Sequence, residues 1–290
     1  MRNYRFPYRS TTPANRRQLT WVQQGRLIFL LNVLLIVSGS LALAYIFAPG
    51  RPLPLTRALA QQVSSLPARH SSGPPQLLSP SPSLLSSPLF QGNPRLPEIA
   101  LTFDDGPLPS STPQILAILQ RSGIKATFFC IGQQVLAYPA IVRQESADGN
   151  LVEDHTWSHP NLTSLPTPAL SRQLSMTENT IYRFTGTLPT FFRPPYGAID
   201  VPVLTQAKML NLSTVMWSVD PRDWSLPGSQ AIIARVLSAA HNGSIILLHD
   251  GGGNRTQTIA ALPTIITALQ ARGLRFVTIQ QLVDDLPHSA

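Results

Sequence analysis

The chain has a single cysteine among its 290 residues, Cys130, and no acidic residue before Glu98. One thiol excludes an intramolecular disulfide framework and any zinc module built on cysteines. The missing acids leave the ten arginines of residues 1–97 uncompensated, so that stretch carries +10. Residues 98–290 set 12 Arg and Lys against 14 Asp and Glu, a net −2. The overall +8 is therefore a property of the first third. A nucleic-acid-binding domain needs a basic face of its own, and no such partner is expected.

The first third does have length without charge. Residues 27–48 are 22 consecutive uncharged residues rich in Leu, Ile and Val. As a helix rising 1.5 Å per residue they cover about 33 Å, enough to cross a hydrocarbon core. Six arginines precede them in residues 1–26, which by the positive-inside rule keeps the N-terminus cytoplasmic and exports the chain beyond residue 48. The rival reading is a cleavable signal peptide, since Ala42-Leu43-Ala44 resembles a small-residue cleavage site. The run is longer than the roughly 7 to 15 residues of a signal core, which favours a retained signal-anchor in a single-pass membrane protein. Residues 49–96 hold ten prolines and nine serines without sustained periodicity. Such a segment buries too little apolar surface to offset its ordering entropy and is expected to be a disordered linker. Its extended reach is on the order of 150 Å, which suits a substrate held away from the bilayer, such as a wall polymer.

From residue 97 the pattern changes. Short apolar runs alternate with amphipathic stretches: strands are expected at Glu98–Phe103, Ala126–Ile131, Leu151–Val152, Thr190–Phe192, Ser213–Trp217, Ser244–Leu248 and Arg275–Val277. Helices are expected from Thr112 to near Gly123, 140–148, Pro168 to near Gly186, 201–210, 229–240 and 259–272, with a short one ending near Leu286. About seven strand–helix units predict an α/β domain with a parallel sheet, open or closed into a barrel.

Each polar cluster begins at the carboxyl end of an expected strand. Asp104-Asp105 follows the first, His155 to His159 the third, Arg193 to Gly197 the fourth, Asp220 to Trp224 the fifth and His249-Asp250 the sixth. Catalytic groups of barrels and open parallel sheets sit at that rim. His155 and His159 are four apart, a spacing that on a helical turn puts both rings on one face. One carboxylate with two imidazoles makes a three-ligand site with an open position, as in catalytic zinc. The same donors hold other divalent metals, including ferrous iron.

The strings TFDDGP (102–107), HTWSHPNL (155–162), RPPYG (193–197), DPRDW (220–224) and ILLHD (246–250), in this order, resemble the five motifs of the polysaccharide deacetylase family. That family is the NodB-homology domain, carbohydrate esterase family 4. The resemblance covers residues 97–285 and implies a distorted (β/α) barrel that removes acetyl groups from amino sugars with a divalent metal, zinc first among the candidates. It implies Asp105, His155 and His159 as metal ligands and Asp104 as general base held by Arg193. It also implies His249 as general acid with Asp223 as its partner, and the Tyr196 N–H as an oxyanion donor. Trp224 is implied as a sugar-stacking wall and Leu247 as the lining for the acetyl methyl. The bland alternatives are an Arg193 that merely pairs with a barrel carboxylate, core positions for Trp224 and Leu247, and a helix-capping Asp220. Gly149 to Asp154 departs from the family's wording, which points to an altered approach loop.

The expectation is thus a basic tail (1–26), a transmembrane anchor (27–48), a linker (49–96) and an exported catalytic domain (97–290). It would hydrolyse the acetamide of N-acetylglucosamine-type units in peptidoglycan or a chitin-like glycan. Two alternatives stand beside it: an O-acetyl esterase on xylan-type polysaccharide, and a non-catalytic glycan-binding protein.

Overall fold

The computed structural model describes residues 85–287. The expected tail, anchor and most of the linker lie outside them. No helix among the described residues is long and apolar enough to cross a membrane.

Seven strands form one curled sheet in which every neighbouring pair is parallel. They are β1 (Glu98–Asp104), β2 (Thr127–Cys130), β3 (Leu151–Asp154), β4 (Phe191–Phe192), β5 (Ser213–Thr214), β6 (Ile245–His249) and β7 (Arg275–Phe276). Their order is β5-β4-β3-β2-β1-β6, and β7 pairs with the amino end of β1 through Glu98 and Ile99. The chain beyond β5 then returns to β6: Val219 bridges Ile246 in parallel, and Leu247 N–H donates to the Val219 carbonyl at 2.9 Å. This contact brings the chain after β5 to the far edge of the sheet, and the curled half-barrel is consistent with the distorted (β/α) barrel that the motifs imply.

The strands form where they do because they are buried on both faces, which favours unbroken apolar runs over alternation. All seven residues of β1 are buried. Helices α1 (Thr112–Arg121) and α7 (Thr256–Ala271) bring Ile115, Leu119, Leu262 and Ile266 into one core with Leu101, Phe103 and Phe128. The rings of Phe103 and Phe128 stack at 5.2 Å. Helix α1 starts with proline in its first turn, where the absent N–H would be unpaired anyway. Between these two helices lie α2 (Gly132–Ala137), α3 (Pro139–Ala147), α4 (Thr167–Thr185), α5 (Val201–Met209) and α6 (Ser229–Ala239), and α8 (Ile279–Asp284) comes last.

Four expectations need correction. The end of the expected linker is part of the folded body: Leu89 is buried, pairs with Val215 and donates its N–H to the Thr214 carbonyl, while Gln91 bridges Ser244. The incoming chain thus fills the seam between β5 and β6. The second correction is that β5 is a two-residue strand, Ser213–Thr214: Val215 still donates its N–H to the Phe192 carbonyl of β4 at 2.8 Å, and its other side bridges Leu89. The third correction is α2, which periodicity does not reveal because only Gly132 and Val135 are buried. Its first N–H groups, on Gly132 and Gln133, donate to the carbonyls of Thr156 and Trp157 at 2.9 and 3.0 Å. Lastly, the strand expected at Leu151–Val152 runs on to Asp154, so most of the stretch that departs from the family's wording belongs to the sheet. Glu153 accepts the N–H groups of Thr190 and Phe191, both at 2.9 Å, and so ties β4 to β3.

Candidate active site

Strand β1 ends in two carboxylates aimed differently. Asp104, still in the ladder, is buried and points at Arg193, whose Nη1 donates to Oδ1 at 2.8 Å. Asp105 sits at a φ of 73°, in the left-handed region, which turns its carboxylate towards the two histidines. Its Oδ1 lies 3.5 Å from His155 Nε2 and 3.3 Å from His159 Nε2.

The histidines do not share a helical turn, as their spacing suggests. Thr156 and His159 both have positive φ, 69° and 58°, and Pro160 follows at once. The loop is set by Asp154, which accepts the Thr156 N–H at 2.6 Å, and by Thr156 Oγ1, which accepts the His159 N–H at 3.0 Å. Its carbonyls at 156 and 157 are held by α2. The outcome is the expected one by another route: the rings meet edge to face at 4.9 Å.

These side chains fit a divalent cation. One ligand atom from each of Asp105, His155 and His159 lies within 4.8 Å of the others. Asp105 Oδ1 is buried without a hydrogen-bond partner among the described residues, a costly arrangement unless something else satisfies it. His155 Nδ1 lies 2.7 Å from the Arg193 carbonyl. A carbonyl only accepts, so the proton sits on Nδ1 and the Nε2 lone pair faces Asp105 and His159. Burial pushes the Asp105 carboxyl up, but the neighbouring imidazoles, His155 foremost, hold it well below the usual range. Burial and the His155 charge press His159 downwards, towards the neutral form that ligates.

Behind Asp104 stands Arg193, fully buried with each nitrogen engaged. Nη1 also donates to Thr102 Oγ1 at 2.7 Å, Nη2 to the Met216 carbonyl at 3.0 Å and Nε to the Val215 carbonyl at 3.4 Å. Its guanidinium lies 4.2 Å over the Phe129 ring. Burial lowers the Arg193 pKa and the Asp104 charge opposes this. Across the cleft, at the end of β6, His249 Nδ1 lies 2.7 Å from Asp223 Oδ1. Asp223 Oδ2 accepts the His249 N–H at 3.0 Å and the Thr258 hydroxyl at 2.7 Å. Burial would lower the His249 pKa, but the hydrogen bond and charge of Asp223 outweigh it and raise the value above that of an ordinary histidine.

The cleft has a volume of about 490 Å³ and is lined by Asp104, Asp105, His155, His159, Tyr196, Trp224, Leu247 and His249 among others. Eight of the ten residues singled out in the sequence therefore reach it. Arg193 and Asp223 do not; both are fully buried and meet it only through Asp104 and His249, to which they are hydrogen-bonded. Trp224 is 48 % exposed and forms the lip, which excludes the core reading, whereas Leu247 is buried and forms part of the floor. Tyr196, at a φ of 60°, stacks edge to face on His159 at 4.7 Å. Its backbone N–H finds no acceptor among the described residues. Asp220 caps no helix; it accepts the Arg222 N–H at 2.8 Å in a tight turn.

Sequence reasoning left Asp250, Trp217 and Arg255 without a role. Asp250 is fully buried beneath Gly106, where any side chain would overlap its carboxylate, and it accepts the Thr112 hydroxyl at 2.5 Å. Burial raises its pKa to about 7, with the charges of Asp105 and Asp104 adding to the shift. Its place directly after His249 in ILLHD was a visible signal; its burial was not.

Residues 91–215 match the family model described as polysaccharide deacetylase. A chitooligosaccharide deacetylase of Rhizobium leguminosarum bv. trifolii is 41% identical over 194 residues, covering 63% of this chain and 90% of that protein. The chain belongs to the polysaccharide deacetylase family. The peptidoglycan-N-acetylglucosamine deacetylase PgdA of Listeria monocytogenes serotype 1/2a is also 41% identical, over 184 residues and 63% of this chain. The match spans only 38% of the Listeria protein's length. Among solved structures, the Bc1960 peptidoglycan N-acetylglucosamine deacetylase superposes with a TM-score of 0.66 at 38% identity, covering 67% of this chain and 91% of that one.

Proposed function

We propose that the chain is an N-deacetylase of N-acetylglucosamine-type units in peptidoglycan or a chitin-like glycan, releasing acetate. The observation that carries this is the meeting, in one cleft, of the Asp105–His155–His159 donor set with the Asp104–Arg193 and His249–Asp223 pairs. The names of the similar proteins support an amide as the bond cleaved.

Asp105, His155 and His159 would hold a divalent cation, with zinc favoured by the donor set. When bound, such a cation polarises the acetyl carbonyl and acidifies water. Asp104 accepts the proton of the attacking water through its carboxylate. The Arg193 guanidinium holds that carboxylate in place through Nη1. The Tyr196 N–H donates to the oxygen that becomes negative as the carbonyl carbon turns tetrahedral. His249 delivers its proton to the leaving amine nitrogen, and Asp223 keeps the imidazole charged until then. Leu247 on the floor takes the acetyl methyl, and Trp224 at the lip takes a sugar face.

Ahead of this domain, the run 27–48 is proposed as the retained membrane anchor and residues 49 to 84 as its tether, with the catalytic domain on the exported side. The uncharged length of the run and the arginines before it support that reading.

The test is acetate release from N-acetyl-chitooligosaccharide and from peptidoglycan strands, with and without a chelator, beside O-acetylated xylan. Amide cleavage that stops on chelation and returns with zinc is expected. Cleavage of the xylan ester alone would replace the reading with an esterase. Glycan binding without acetate release from any substrate would make the protein a lectin-like module.

A further inference from the structure

The cleft contains a second arginine treated very differently from Arg193. Arg255 follows the turn Gly251-Gly252-Gly253, is 5 % exposed and lines the cleft. Its side chain makes one hydrogen bond among the described residues, from Nε to the Gly251 carbonyl at 2.6 Å. No carboxylate of the described residues lies within 4.0 Å of its nitrogens, although Asp104, Asp105 and Asp220 line the same cleft. Arg193, also buried, has a carboxylate, a hydroxyl and two carbonyls.

A guanidinium removed from water without a counter-charge is costly, and buried charges in folded proteins are paired. At Arg255 the Nε bond fixes the direction of the side chain, and neither terminal nitrogen has a hydrogen-bond partner among the described residues that line the cleft with it. That is the geometry of a fork waiting for two oxygens, the arrangement in which arginine binds a carboxylate bidentately. The glycine turn explains how it reaches this position. Gly252 and Gly253 have φ values of 70° and 139°, and a side chain on Gly251 or Gly252 would collide with Asp105. The turn therefore lies flat on the metal ligand and delivers Arg255 beside the reacting centre.

We infer that Arg255 forms a subsite for a carboxylate carried by the glycan, on the acetylated sugar or its neighbour, and so selects acidic glycan strands over neutral ones. The inference rests on the deacetylase reading for its kinetic test but not for its binding test.

The kinetic test compares kcat/KM on a neutral N-acetylglucosamine tetramer with that on a strand whose alternate sugars carry a lactyl ether carboxylate. The same strand with its carboxylates methyl-esterified is the third substrate. The wild-type protein should prefer the free acid over the ester by about tenfold or more, the scale of one charge-assisted pair. Arg255→Gln should abolish that preference by slowing cleavage of the free-acid strand about tenfold or more beyond any loss on the neutral tetramer. Arg121→Gln, which removes an equal charge from an exposed position on α1, should leave the preference intact. Equal rates of the wild-type protein on acid and ester overturn the inference, whatever the state of the variant. So does an equal loss in Arg255→Gln on the neutral and acidic substrates. If no substrate releases acetate, the deacetylase reading fails by itself. Calorimetric binding of the lactyl-ether disaccharide and its methyl ester then decides the subsite, and equal affinity for the two rejects it.

Discussion

Gly252 backs so closely onto the Asp105 carboxylate that the first carbon of any side chain would overlap Oδ2. Its φ of 70° is also one that L residues seldom adopt. Gly252→Ala must therefore push the ligand out of line or open the turn. Displaced support of a metal ligand commonly costs about 10- to 100-fold in metal affinity, and that loss is the expected result of a zinc titration on the variant. Wild-type affinity would show that the turn does not set the ligand.

Asp104 and Asp105 are adjacent in sequence but are expected to separate cleanly by experiment. Asp105→Ala should lose bound metal on elemental analysis. Asp104→Asn should retain it yet release acetate more slowly by a factor on the order of 10²–10⁴, the usual contribution of a positioned proton acceptor. Metal loss in both variants, or in neither, would undo the assignment.

The His249–Asp223 pair sets a pH limit. Asp223 raises the His249 pKa, so the acid form survives above the ordinary histidine value of about 6.5. Activity that needs this proton falls as pH rises through the raised pKa. In Asp223→Asn the hydrogen bond and charge that outweigh burial are gone and only the weaker pull of Asp104 and Asp105 opposes it, so the alkaline limb of kcat should move to lower pH. The same pair stabilises the fold. The part due to His249 is fully present below its unfolded pKa and fades as pH climbs through the folded one. The part due to Asp223, whose pKa is depressed by the His249 hydrogen bond against the pull of burial, fades as pH falls through its own folded value. An unshifted alkaline limb in the variant would contradict the pairing.

Arg193→Lys keeps the charge and loses the fork. Lysine cannot reach Asp104, Thr102 and two carbonyls together. Breaking a buried pair costs about 3–5 kcal/mol, and a loss approaching that is expected in urea unfolding, together with a lower kcat. Unchanged values for both would mean that the base needs no support.

The seam residues carry a prediction about boundaries. A fragment starting at residue 97 loses Leu89 and its backbone bonds to Thr214 and Met216. Burying a leucine is worth about 1.5–3 kcal/mol, so a 97–290 fragment should unfold at lower urea than a 78–290 fragment. Equal midpoints would show that the seam holds without its insert.

Strand ends and the chemistry at them were legible because fully buried strands write themselves as apolar runs such as Glu98 to Phe103 and Ser244 to Leu248. The motif residues Asp104, Asp105, His155 and His249 come within three residues of the end of such runs, and His159 follows His155 by four. The failures have physical causes. His155 and His159 converge through a loop of positive-φ residues, which has no periodic signature. Helix α2 is fixed by carbonyls from a distant segment. Leu89 lies in a proline- and serine-rich stretch whose composition says linker, and only the gap it fills shows otherwise. Arg255 reads as an ordinary loop residue until its lack of a partner is seen.

The Leu89–Val215 pairing has a mechanical meaning. Any tension transmitted along the polypeptide from its amino-terminal side enters the barrel through a segment laid parallel to β5 and anchored again at Ser244. Pulling there loads the bridge to Val215 and the bridge to Ser244, so the force meets both edges of the sheet.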